Sequence, residues 1–176
     1  MVQLYSLMWI LAIFFGVAGY MRGWNREVVA LAGTALGMFV LFQFDALIRG
    51  TLLLSFTRNQ AFFLQVSTFL IIVFVAYRNR SIMPQRRQGE SRLQTGILGA
   101  IVGLVNGYLI GGTLWYFLDI NEYPLAPYVL APAPTSPSAQ SLGSIPLVIL
   151  SGGVGGAGDL LIVGIVVLFL IVLMVL

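Results

Sequence analysis

Apolar residues dominate five stretches of the chain: Leu4 to Met21, Val28 to Phe44, Ala61 to Tyr77, Gly96 to Leu118 and Leu160 to Leu176. Each approaches the roughly 20 residues that an α-helix needs to cross a bilayer. Charged or amide residues bound the first four, apart from the outer end of the first, whereas the fifth runs to the last residue. At ~1.5 Å per residue the fifth covers only about 25 Å, so it is expected to tilt little or to sit in thin bilayer. The pattern predicts an all-α fold, a polytopic membrane helix bundle with a four-helix core and a fifth, C-terminal transmembrane helix. Residues 1–119 form the core, 120–158 an external linker rich in Pro, Ala, Ser and Gly, and 159–176 the last helix.

Composition supports a bilayer as the solvent, because 59% of the 176 residues are hydrophobic and 9% charged. Such a chain cannot hide its apolar surface as a soluble domain. With neither Cys nor His, it has no disulfide, no thiolate metal site and no imidazole acid–base group. All nine basic residues are Arg, which stays charged and is a poor proton carrier. The six acids are scattered rather than gathered, so no catalytic residue and no metal site is predicted, and no cofactor or nucleic-acid partner. No basic residue precedes the first apolar stretch, so a cleavable signal peptide is not expected.

The arginines set an orientation. Arg22 and Arg26 fall in the first connection, and Arg78, Arg80, Arg86, Arg87 and Arg92 in the third, against Arg49 and Arg58 in the second. Basic residues accumulate on the cytoplasmic side, which places connections 22–27 and 78–93 inside and the N-terminus outside. The third connection reads as a topology signal whose arginines anchor at headgroups, or as a contact for anionic lipid. Six of the seven prolines fall between Asn121 and Pro146, which predicts an extended, polyproline-like connector. The run from Ser151 to Gly158 has the glycines of a phosphate loop but not its Lys, since the chain has none, and reads as a hinge with Asp159 capping the last helix.

Glycines recur on helical faces: Gly96, Gly99, Gly103, Gly107 and Gly111 in the fourth span, Gly16, Gly19 and Gly23 in and after the first, Gly33 and Gly37 in the second. Small residues at this spacing let membrane helices approach closely. These strips are expected to be seams within the bundle, or else an interface with a second copy or another membrane protein. Gln65 and Asn106 lie inside spans and can hydrogen-bond between helices. Glu27 and Asp159 sit at helix starts, and the spans proper are read as free of ionisable residues.

The segment Arg22-Gly23-Trp24-Asn25-Arg26-Glu27, running on into Val28-Val29-Ala30-Leu31-Ala32-Gly33, resembles the first cytoplasmic turn of the colicin V production protein (CvpA) family. In that family Arg-Gly, two variable residues and Arg-Glu lead into the second span. Ser91-Arg92-Leu93, followed by Gly96-Ile97-Leu98-Gly99-Ala100, Gly103 and Gly107, resembles the family's glycine-rich fourth span. Together these cover residues 1 to about 119, the family's four-helix core. Two features depart from the pattern: Tyr5 and Ser6 stand where many members carry an aspartate, and an apolar segment follows the proline-rich stretch where members have a soluble or amphipathic tail. The resemblance implies a non-enzymatic bacterial inner-membrane protein serving bacteriocin production or export, or envelope maintenance. The extra helix raises a second expectation, an accessory subunit of a larger respiratory or photosynthetic complex. A third is an oligomeric channel or transporter component. The lipid bilayer and other membrane helices are the expected partners.

Overall fold

The computed structural model describes residues 3–45, 50–51, 56–78, 92–153 and 156–175. Among them there is no strand. Four long helices make the body: α1 (Leu4–Arg22), α2 (Trp24–Gln43), α3 (Arg58–Arg78) and α4 (Arg92–Ile120). All four are long and apolar enough to cross a membrane. The 29 residues of α4 give it a length of ~43 Å, more than a hydrocarbon core of ~30 Å, so it projects beyond its neighbours.

A single residue, Gly23, separates α1 from α2. Its φ of 84° lies where a side chain is disfavoured, and its N–H closes α1 on the Gly19 carbonyl at 2.9 Å. After this reversal α1 packs chiefly against α4, while α2 packs against α3 and α4. The α1–α4 contact is an antiparallel seam. A side chain added at Gly111 would meet Met8, at Gly107 Ala12, at Gly103 Phe15 and at Gly99 Gly19, so the facing pairs step in opposite directions, by four residues along α4 and by three or four along α1. A Cβ at Gly107 would lie 2.6 Å from the Ala12 Cα, and one at Gly103 would collide with the Phe15 carbonyl oxygen. Only glycine allows this approach, which brings the backbones together for van der Waals attraction where no hydrophobic effect operates. Gly16 faces Leu104 across the same seam, and Gly96 lies beneath the Tyr20 ring. Gly33 and Gly37 belong to a different contact, α2 on α3, where they face Ala76 and Ile72.

The core runs along the interior of α2, α3 and α4 through Met38, Phe62, Phe69, Ile110 and Phe117. Outward-facing residues such as Ile13, Phe14, Ile71, Phe74 and Ile101 are apolar as well, the arrangement expected where lipid is the solvent.

The stretch from Asn121 to Pro146, expected to be extended, instead contains turns and short helices. Turns lead to α5 (Pro137–Gln140), a 3-10 turn (Leu142–Ser144) and α6 (Pro146–Ser151). Pro137 and Pro146 start these helices, a position where the missing N–H costs nothing and the fixed φ is helical. Ser136 caps α5 by accepting from the Ala139 N–H at 3.2 Å. Ile145 and Leu147 are fully buried, and Pro146 packs on Gly112 of α4. The segment thus lies back against the bundle, roughly 12 Å short of the α4 C-terminus at ~1.5 Å per residue. Ser138 Oγ accepts from the Tyr5 N–H at 3.3 Å, and the Tyr108 hydroxyl donates to the Ser144 carbonyl at 2.6 Å. Ser138 thereby satisfies one of the unpaired N–H groups at the start of α1, where the residue before the helix, Gln3, makes no side-chain cap.

The last helix, α7 (Asp159–Val175), packs on α2 and α6 through Leu161 and neighbours. With 17 residues it is shorter than the four spans, and the expected fifth crossing is not shown. Asp159 is its exposed first residue, and Gly158, at φ 90°, lies against the Phe42 ring.

Candidate functional site: a buried carboxylate at the basic end of the bundle

Glu27 sits in the first turn of α2, and its side chain is 0% exposed. The sequence places it at a helix start, just before the apolar run from Val28, and the structure keeps it there and buries it completely. Three helices converge on it. Arg22, the last residue of α1, donates to Oε1 at 2.6 Å; Tyr77 of α3 donates its hydroxyl to Oε2 at 3.1 Å; Asn106 of α4 donates its amide to Oε2 at 3.1 Å and to the Glu27 backbone carbonyl at 3.1 Å. Arg22 also donates to the Tyr77 backbone carbonyl at 2.9 Å and lies over the Tyr77 ring, 4.5 Å from its centroid. Each of the four long helices contributes one member.

The arrangement follows from the local sequence. Gly23 reverses the chain in one residue, which leaves Arg22 and Glu27 on facing helix ends within reach of each other. Close approach of α1 to α4 along the glycine seam then brings Asn106 to the same level. The guanidinium keeps partial access to solvent, its side chain 24% exposed, while the carboxylate gives up all of its water. Desolvating a carboxylate is tolerated only with charge-assisted donors around it, and here there are three. Asn106 Oδ1 is buried and has no hydrogen-bond partner among the described residues.

Of the other residues singled out in the sequence, Arg26 is exposed and pairs with no described carboxylate, so Glu27 has selected Arg22. Arg78 is exposed, its guanidinium 6.0 Å from the Phe74 ring centroid. Arg92 opens α4. Arg80, Arg86 and Arg87 lie outside the described residues. Gln65 is buried far from Glu27, towards the opposite end, where it donates to Asp45 Oδ1 at 2.7 Å and accepts from Asn121 at 2.8 Å. Asn121 donates as well to the Phe117 carbonyl at 2.7 Å. Nearby, Arg58 and Glu122 form an exposed ion pair. Tyr123, just beyond α4, accepts from the Trp115 indole N–H at 3.3 Å and donates to Asp119 at 3.1 Å. Burial pushes its hydroxyl up to about 12, the Asp119 carboxylate adding to the shift and the Trp115 donor opposing it.

Sequence reasoning named Arg22, Glu27 and Asn106 and allowed Glu27 to pair with Arg22 or Arg26, but it did not bring Asn106 to them, and it missed Tyr77. The signal for Tyr77 was present: a Tyr beside Arg78 at the end of a span that must return to the side of the first turn. Among the described residues no three His, Cys, Asp or Glu side chains gather as metal ligands.

No protein-family model matches the chain, and no curated protein or solved structure matches it significantly.

Proposed function

We propose that this chain is a non-enzymatic bacterial inner-membrane protein of the colicin V production kind, acting in bacteriocin production or export, or in maintenance of the envelope. The observation that carries the reading is the coincidence of motif and geometry at one place. The turn from Arg22 to Glu27, whose sequence resembles the family's first cytoplasmic turn, is also where one carboxylate ties four helices together. The charge pattern of the turn thereby acquires a physical reason within this chain: Gly23 for the reversal, Arg22 and Glu27 for the clasp. Because solvent does not reach the Glu27 carboxylate and three donors occupy it, the group is suited to holding helices and not to turning over a solute. The basic end of the bundle faces the cytoplasm and the N-terminus lies outside.

One observation favours a second reading, an accessory subunit of a larger membrane complex: α7 is apolar, short for a span, and exposed along Val163, Val166, Phe169 and Leu170. A tagged protein extracted from its native membrane in mild detergent separates the two. A small assembly of this chain with lipid, together with increased envelope permeability on loss of the protein, supports the first. Comigration with a respiratory or photosynthetic complex in fixed ratio overturns it in favour of the second.

A further inference from the structure

The depth of residues 137–151 in the bilayer is set by the helix they pack on. α1 holds 19 residues, a length of ~28 Å, against a hydrocarbon core of ~30 Å. It has no turn to spare, so crossing the bilayer puts its two ends at the two boundaries, Leu4 at one and Arg22 at the other. The turn from Leu4 to Met8 therefore occupies the first ~6 Å at the end opposite Arg22. α5, the 3-10 turn and α6 pack on that turn. Ser138 caps the Tyr5 N–H, Ile145 joins Met8 and Trp115 in one buried cluster, and Gly112 of α4 faces both Pro146 and Met8. The chemistry of the segment agrees with that depth. No charged side chain occurs between Glu122 and Asp159, whereas the residues between the other successive apolar runs always include arginine. Tyr5, Trp9 and Tyr108 gather at the same level, with ring centroids 6.3 Å apart for the first pair and 5.6 Å for the second, and amphipathic rings collect where hydrocarbon meets headgroup. Leu147, Val148, Ile149 and Leu150 are four successive apolar residues that complete a turn of α6. The bundle covers Leu147 completely and leaves Ile149 47% exposed. A helix that is apolar all round requires apolar surroundings all round.

We propose that α5, the 3-10 turn and α6 form a membrane-inserted collar, lying at the headgroup–acyl boundary of the leaflet opposite Arg22 with Ile149 among the acyl chains. Depth selects lipid as the occupant, because at that level every surface this chain leaves open faces the bilayer, and a second protein would have to displace it. Only the crossing by α1 is needed for this placement, not a role in colicin production.

The chain has no Cys, so single cysteines can be placed in it without background. I149C, I13C and E122C proteins carrying a nitroxide label are reconstituted in phosphatidylcholine vesicles, and collision rates with oxygen and with a water-soluble nickel chelate give the depth of each label. Ile13 is exposed in the middle of α1 and Glu122 is exposed just beyond α4, so these two positions mark hydrocarbon and water. The label at 149 should lie about 5–10 Å inside the boundary, the depth of an interfacial helix, with that at 13 deeper and that at 122 in water. Access of the nickel chelate to 149 equal to its access to 122 would place the segment in water and overturn the proposal. Shielding of 149 from both reagents would overturn it as well, since a second copy of this chain and not lipid would then cover α6.

Discussion

Asn106 donates to two acceptors of the same residue, the backbone carbonyl and the carboxylate of Glu27, each at 3.1 Å. This double contact fixes the rotation of α4 relative to α2 as well as their separation, because moving either helix by a fraction of a turn breaks one bond or the other.

Removing the carboxylate strands three donors. Glu27→Ala leaves the Arg22 guanidinium, the Tyr77 hydroxyl and the Asn106 amide without their shared acceptor. The loss should be about 3–5 kcal/mol, the range for breaking one side of a buried ion pair. Arg22→Ala should cost a comparable amount, since it leaves a buried negative charge without its counter-charge. Tyr77→Phe removes a single hydrogen bond to a charged group and should cost about 1.5–3 kcal/mol. Unfolding in mixed detergent micelles orders the three variants.

The α1–α4 seam makes a prediction about size rather than charge. Gly107→Leu must displace Ala12, whose Cα would lie 2.6 Å from a new Cβ, and should separate the two helices and destabilise the bundle by more than about 1–3 kcal/mol, the usual range for overpacking. Gly143→Ala meets nothing within 4 Å and should shift stability by no more than about 0.5 kcal/mol. Equal sensitivity at the two sites in the same unfolding assay would contradict the seam.

Ser138→Ala removes an acceptor for the Tyr5 N–H, a cap supplied from 133 residues away in sequence. The cost should be about 1 kcal/mol. Combined with Tyr108→Phe, which releases the Ser144 carbonyl, it should free residues 137–151 from the bundle. Limited proteolysis should then cut this segment before any of the four long helices.

Tyr123 gives a pH signature outside the spans. Its folded-state pKa is raised to about 12 from an ordinary 10, so folding favours the neutral phenol. The associated stability is complete below pH 10 and is lost as pH rises from 10 through 12. Phenolate absorbance followed into the alkaline range should lose a component titrating near pH 12 in Tyr123→Phe.

Much of the scaffold was legible because membrane helices announce themselves by length. Four apolar runs became four helices bounded by charged or amide residues except at the outer end of the first, and the glycine spacing of the fourth span carries its contact with the first. Two features were hidden for identifiable reasons. The prolines of residues 121–146 suggested an extended chain, yet Pro137 and Pro146 begin helices, and the information that these helices fold back lies in Ile145 and Leu147, apolar residues too few to form a periodic pattern. The Glu27 clasp was hidden because its members are 5, 50 and 79 positions apart in sequence and only the packing of four helices brings them together. The seventeen residues of α7 show the converse, since apolar composition alone pointed to a crossing that its length does not show.

The central claim is that Glu27 and Asn106 are directly coupled inside the bundle, and a double-mutant cycle tests it most directly. Stabilities of the parent, Glu27→Ala, Asn106→Ala and the double variant are measured by reversible unfolding in micelles. The structure predicts a coupling of about 1–3 kcal/mol, above the ~0.6 kcal/mol average for neutral hydrogen bonds between membrane helices. Additivity to within about 0.5 kcal/mol would contradict it.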